Sequence, residues 1–306
     1  MSSSQFKNTA HSVKQRLLNK AREEKRPFNE ILQYYAMERY LYRLSCSDYA
    51  DRFILKGGLM LYVWNSPVTR PTMDIDLLAY SSNELEVLKG IFQEVCQVNC
   101  KEDGLSFAGE RMQALRIKED ADYEGVRLTF FSSLGTAKVR MQIDVGFGDV
   151  IHPGFITETL SPLLKLPAAS LACYPRESVI AEKLQAMMAL GMLNSRMKDF
   201  YDIFLLASNF SYEGSVLAEA ISKTLQHRET EAEVELTAFT EAFTDAKQVQ
   251  WTAFRRKLKQ EDLPADIKDI ISLIKQFIGP VLDALVKQKD FNATWPVKGP
   301  WAFIEK

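Results

Sequence analysis

Residues 56–78 read KGGLMLYVWNSPVTRPTMDIDLL. A pair of glycines, a short apolar segment, a proline-bounded loop and two carboxylates one residue apart follow one another within it. Gly57 and Gly58 carry no Cβ, so a backbone at that point can approach phosphate oxygens closely. Residues 59–64 read as a short buried helix, which places the glycines at an anion-favouring N-terminal end. Asn65, Pro67 and Pro71 break that helix, and residues 73–78 then read as a strand. Residues i and i+2 of a strand share a face, so Asp74 and Asp76 project together while Ile75 and Leu77 point the other way. Adjacent carboxylates repel unless a positive charge lies between them. Hard oxygen ligands suit Mg²⁺, which completes its shell with water and substrate phosphates. A lone Asp-x-Asp is short and common, and by itself it fits a solvated strand face better than a metal site. The preceding Gly-Gly and the Arg70-x-Thr72 approach turn the reading towards a metal site.

Outward from this stretch the hydrophobic period alternates between helix and strand. Residues 7–45 read as helical with an interruption at Pro27: Val13, Leu17 and Leu18 form one stripe, Asn8 or Thr9 is a candidate cap, and Phe28, Ile31, Leu32 and Tyr35 form a second stripe. After the aspartates, residues 81–84 mark a helix start, and Leu85, Leu88, Ile91, Phe92 and Val95 point inward to about residue 98. The period then becomes two, around residues 115–117, 126–130 and 139–145, with Gly104, Gly125 and Gly135 as turn residues. A strand, a helix and several more strands make a mixed sheet of the α+β kind. In the last strand Arg140, Gln142 and Asp144 share one face. If that strand lies beside the one bearing Asp74 and Asp76, Asp144 completes a three-carboxylate site, and two divalent ions bridged by such carboxylates suit in-line phosphoryl or nucleotidyl transfer.

From about Pro167 the chain reads as helical again. A strong helix covers about residues 178–190 with Lys183 within it, ended by Gly191 and Asn194. Asp199 and Asp202 then lie three apart on one helix face, with Arg196 and Lys198 adding positive charge nearby. Residues 211–290 read as about three amphipathic helices, the last halted at Gly279-Pro280. An aromatic tail from Trp295 to Trp301 is expected to pack back on the body. The expected division is residues 1–50 as N-terminal helices, 51–166 as the core and 167–306 as a helical C-terminal domain.

Composition narrows the class. The chain has 306 residues, a hydrophobic content of 46% and a charged content of 25%, as in soluble globular proteins. No apolar run is long enough to cross a membrane, and the N-terminus has no apolar segment of a secretory leader. Cys46, Cys96, Cys100 and Cys173 read as buried thiols in a reducing cytoplasm, since Cys96 and Cys100 lack a second Cys/His pair at zinc-finger spacing. A net charge of −2 gives no global basic excess, so any contact with nucleic acid must come from a local patch.

Taken together, these residues resemble the nucleotidyltransferase toxins of the AbiEii/AbiGii type, half of bacterial abortive-infection (phage-defence) and toxin–antitoxin pairs. The resemblance rests on Lys56-Gly57-Gly58, Arg70-x-Thr72-x-Asp74-Ile75-Asp76-Leu77, Ile143-Asp144-Val145, Tyr174-Pro175-x-Glu177 with Ala181-Glu182-Lys183, and Arg196-x-Lys198-Asp199-x-Tyr201-Asp202, in that order over roughly residues 50–210. It implies a polymerase-β-like nucleotidyltransferase sheet with an N-terminal helical extension and a helical C-terminal half, Mg²⁺, and an NTP as substrate. By the match Asp74 and Asp76 hold metal, Lys183 contacts phosphates, and Asp199 or Asp202 completes the active site. Lys56, Gly57, Gly58, Arg70, Thr72, Arg196 and Lys198 are the remaining nucleotide-binding candidates. A second metal, or Asp144 as base, would ready the acceptor hydroxyl. The implied acceptor is an RNA such as the tRNA 3′ end, and the implied partner is a cognate antitoxin from the same operon. The competing readings are a small-molecule nucleotidyltransferase of the antibiotic-modifying type, a phosphotransferase, and a non-catalytic nucleotide-binding protein on the same fold.

Overall fold

The computed structural model of the protein describes residues 3–66, 70–118, 124–260 and 262–303. Pro67 lies outside them. The chain forms two compact units: Met1–Asn65, Thr69–Gly148 and Ile156–Cys173 make the first, and Ser66–Val68, Asp149–Phe155 and Tyr174–Lys306 the second.

The first unit begins with helices α1 (Ser3–Glu23) and α2 (Phe28–Ser45). Helix α1 already runs through Asn8 and Thr9, so neither is its cap. Ala10, Val13, Leu17 and Ala21 form its buried stripe, at the three- and four-residue spacing of a helix face. Helix α2 is buried almost all round, including Gln33, Glu38, Arg39 and Arg43. Such polar groups must be partnered to be tolerated. Gln33 Nε2 donates to the carbonyls of Met73 and Arg140, Arg43 forks onto Asp103, and Arg39 pairs with Glu38 while donating to the Pro167 carbonyl. Burial pushes the Glu38 carboxyl up to about 7 against the pull of Arg39.

Next come β1 (Phe53–Lys56), a single 3₁₀ turn over Gly57–Leu59, the one-turn helix α3 (Met60–Val63), β2 (Ile75–Ala79) and helix α4 (Leu85–Gln97). Strands β3 (Leu105–Phe107), β4 (Gln113–Lys118), β5 (Glu124–Leu134), β6 (Ala137–Phe147), β7 (Ile156–Leu160) and β8 (Ala169–Cys173) complete the unit. Their order in the sheet is β3-β5-β6-β2-β1-β8-β7, with β4 also pairing with β5. The α+β mixed sheet expected from the pattern is present, with β2 parallel to β6 and antiparallel to β1.

Several local expectations change. Gly125 lies within β5, not in a turn. Residues 169–173, expected on the way into a helix, are strand β8, whose Ala169, Leu171 and Cys173 are buried alternately. Strand β1 has all four residues buried. A central strand covered on both faces shows no period-two alternation, which hides it in the sequence.

The second unit contains helices α5 (Arg176–Leu190) and α6 (Met197–Asn209), strand β9 (Tyr212–Glu213), helices α7 (Gly214–His227), α8 (Glu241–Leu258) and α9 (Ile267–Val286), and strands β10 (Ala293–Trp295) and β11 (Ala302–Phe303). Helix α9 does not stop at Gly279-Pro280. It continues through Pro280 because Phe277, Ile278, Val281 and Leu282 prolong one buried stripe across it, which offsets the hydrogen bond the proline removes. The aromatic tail packs back as expected: β10 pairs with β9, the Trp295 Nε1–H donates to the Ala207 carbonyl at 2.8 Å, and Trp301 stacks on Phe277. All four cysteines are free thiols; Cys46 is exposed, contrary to its reading as buried. Among the described residues no helix is long and apolar enough to cross a membrane.

Candidate active site

Strand pairing brings the three predicted carboxylates together. β2 and β6 run parallel with Asp76 opposite Asp144. Asp74 sits in the bend just before β2, which starts at Ile75, one residue later than the expected pair-bearing strand requires. One carboxylate oxygen from each of Asp74, Asp76 and Asp144 lies within 4.8 Å of the others. Ile75, Leu77 and Ile143 on the opposite face are buried in the core, so both strands are held with their aspartates turned outward.

Gly57 has a reason beyond room for phosphate. Its φ is +73°, and a Cβ there would lie 1.8 Å from Asp76 Oδ2. The Asp76 carboxylate packs directly on the Gly57 Cα, so this glycine makes space for a candidate ligand. Gly58 is closed in by Arg70 and Thr72, where a Cβ would meet each at 3.0 Å. Thr72 then donates its hydroxyl to Asp74 Oδ1 at 2.8 Å. The Lys56-Gly57-Gly58 and Arg70-x-Thr72 blocks therefore pack against the two aspartates, and Lys56 is the cross-strand neighbour of Asp76.

Arg127 on β5 was not among the candidates. It faces Asp144 across the β5–β6 pair and forks onto it, Nε to Oδ1 at 2.8 Å and one terminal nitrogen to Oδ2 at 2.6 Å. Gln142 Nε2 adds a bond to Oδ2 at 3.1 Å. Hydrogen bonding to Asp144 holds the Arg127 guanidinium above its ordinary value, opposed by burial and helped by the charges of Asp144, Asp74 and Asp76. The Val-Arg-Leu alternation marked Arg127 as outward-facing, but only the strand register shows that it meets Asp144.

This oxygen-only cluster fits a hard divalent cation. A carboxylate has about four acceptor positions. Those of Asp144 already take the Arg127 fork and Gln142, which leaves Oδ1 as its open side.

In the second unit, Pro175 precedes the first turn of α5, and Lys183 projects from that helix onto α6. Its Nζ lies 2.8 Å from Asp199 Oδ1 and 2.8 Å from Asp202 Oδ2. Arg196 Nε reaches Asp199 Oδ2 at 2.8 Å. Asn194 Oδ1 accepts from the Arg196 backbone N–H, a local turn that sets Arg196 at the start of α6. Both aspartates are almost completely buried. The expected shared face of Asp199 and Asp202 is therefore real, and it is a buried ionic knot. Lys198 is exposed and joins no ion pair among the described residues.

A family model described as the nucleotidyl transferase AbiEii toxin of type IV toxin–antitoxin systems matches residues 39–283. Two solved structures share the fold. One, from H. pylori and assigned as a nucleotidyltransferase, has a TM-score of 0.50 at 14% identity, covering 83% of this chain and 96% of that one. The other, JHP933 from Helicobacter pylori, has a TM-score of 0.51 at 13% identity, covering 85% and 95%. No curated protein matches.

Proposed function

The chain belongs to the AbiEii family of nucleotidyltransferase toxins, and from that we propose that it transfers the nucleoside monophosphate of an NTP to an RNA acceptor such as the tRNA 3′ end, with Mg²⁺ held by Asp74, Asp76 and Asp144. The observation that carries this reading is the convergence of those three carboxylates at the β2–β6 pair. A divalent cation bound there would neutralise phosphate charge and orient the triphosphate.

The chain's own residues have separate duties in this reading. Gly57 leaves the space that Asp76 occupies, Thr72 orients Asp74, and Arg127 with Gln142 fixes Asp144. With so much of its acceptor capacity used, Asp144 serves as a ligand and not as a base. In the first unit Lys56, Gly58 and Arg70 supply donors and positive charge to the nucleotide; in the second, Asp199 and Asp202 fix the Lys183 ammonium, with Arg196 beside Asp199 and Lys198 exposed. The acceptor hydroxyl gives up its proton to solvent as its oxygen bonds to the α-phosphorus, the bond to the pyrophosphate oxygen breaks, and pyrophosphate leaves with the displaced electron pair. Fixed positive charge around that phosphate is the largest help a protein gives such a step. A toxin of this family implies a cognate antitoxin; we place its gene in the same operon and the protein in the cytoplasm.

The test is incorporation of each NTP into total bacterial RNA with Mg²⁺. Asp76→Ala is expected to lower incorporation more than ~100-fold, because one of three metal carboxylates is gone. Near-full activity in that variant would overturn the assignment.

A further inference from the structure

The outward face of the β5–β6 ribbon continues from the carboxylate cluster into a different kind of surface. In register, Arg127 stands opposite Asp144, Thr129 opposite Gln142, Phe131 opposite Arg140, and Ser133 opposite Lys138. The alternate residues Leu128, Phe130, Met141 and Ile143 are buried, so these pairs all share the outer face. Phe131 is 49% exposed there. Lys138 and Arg140 are exposed, and their side chains make no ion pair or hydrogen bond among the described residues. Asp144, already engaged in the cluster, is the acidic residue at these outer positions of β5 and β6.

A solvated sheet face would ordinarily put a polar residue at position 131. Here an open aromatic ring stands opposite an arginine in the register, with the Cβ atoms of such a cross-strand pair roughly 5 Å apart. An ammonium lies one pair further along. An aromatic platform flanked by cations along a sheet is the arrangement that holds a single-stranded nucleic acid, with a base on the ring and phosphates on the cations. The chain's net charge of −2 makes this local cationic face distinctive. Arg140 and Asp144 are four residues apart on β6, about 13 Å, the reach of a short single strand, not of one nucleotide.

We propose that the Phe131–Lys138–Arg140 face is the docking surface for the single-stranded 3′ end of the RNA acceptor, with one base stacked on Phe131, phosphates at Arg140 and Lys138, and the terminal hydroxyl led along the ribbon to the Asp74–Asp76–Asp144 cluster. This rests on the RNA reading of the reaction above and adds the site that delivers the acceptor. The surface is unsuited to the interior of a duplex, where stacked neighbours cover both faces of each base.

The test uses the full chain and a fluorescent single-stranded RNA with a free 3′ hydroxyl, with the same RNA annealed as a blunt duplex for comparison. Phe131→Ala should weaken single-strand binding roughly tenfold, and Phe131→Trp should restore it. The double variant Lys138→Ala/Arg140→Ala should reduce the slope of log affinity against log salt by about 1.4, the share of two phosphates on a single strand. NTP affinity and thermal midpoint should stay at the wild-type values in all three, since these side chains lie on the surface. Wild-type protein that binds and labels RNA while every variant matches it would overturn the docking face and leave the proposed reaction standing. Wild-type protein that neither binds nor labels RNA would remove the acceptor class and the face with it. A dimer in solution that Phe131→Ala dissolves would make the face a subunit interface and overturn the proposal.

Discussion

A methyl group at position 57 would lie 1.8 Å from Asp76 Oδ2, on a backbone whose φ is +73°. The glycine is thus required twice, by conformation and by the carboxylate against it. Gly57→Ala should cost about 1–3 kcal/mol through the backbone and should also push Asp76 out of the cluster, lowering activity by more than ~10-fold. Gly58→Ala meets its nearest neighbours at 3.0–3.1 Å, at side-chain atoms of Arg70 and Thr72, and should cost less in both respects. Thermal melts and turnover of the two variants check the contrast; equal effects at both positions would contradict it. The sequence marked both glycines, but for a phosphate. That Asp76 is the neighbour depends on β1 and β2 pairing with Lys56 opposite Asp76, which no local pattern encodes. Arg127 escaped notice for the same reason: its partner is seventeen residues away in sequence and adjacent only in the β5–β6 register.

Among the elements, those with one clear buried stripe were legible, and those covered on two faces were not. Helix α4 shows Leu88, Ile91, Phe92 and Val95 at helical spacing, and β6 alternates from Val139 to Val145, so both could be read directly. Strand β1 has no polar face to alternate, and β8 is short and rich in alanine, so both were missed although they flank each other in the sheet. Pro280 misled in the opposite direction, because a proline stop is a local rule and the apolar stripe of α9 overrides it. The knot between α5 and α6 makes a prediction at this scale. Lys183→Met would leave Asp199 and Asp202, both nearly fully buried, without the ammonium between them. Removing this cation leaves buried carboxylate charge less compensated in a low-dielectric setting, Arg196 remaining beside Asp199, and a loss of roughly 3 kcal/mol is expected. Urea denaturation measures it. Adding Asp202→Asn to Lys183→Met should recover part of the loss, since one of the two buried carboxylates then carries no charge. Unchanged stability with lost nucleotide binding would show instead that Lys183 acts on the ligand alone.

For the whole molecule, the α+β class, the outward pair of aspartates and the arrival of Asp144 beside them were legible. Asp76 and Asp144 take their face from the strand period, and Asp74 joins them from the bend just before β2. Gly57 and Thr72, which hold Asp76 and Asp74, were legible as blocks but not as contacts, and Arg127, which holds Asp144, was not singled out. Family membership agrees with this reading: the match spans residues 39–283 and so takes in every block of the resemblance, while the two Helicobacter pylori structures share the fold at 13–14% identity. The central claim is a transfer of the α-phosphoryl group with its nucleoside, dependent on the three-aspartate cluster. The most direct test incubates the protein with Mg²⁺, bacterial RNA and each NTP labelled in turn at the α- or the γ-phosphate, with Asp76→Ala in parallel. The account predicts label on RNA from the α position only, lost in the variant and on chelation of the metal. Label reaching RNA from the γ position would contradict it and make the protein a phosphotransferase on the same fold.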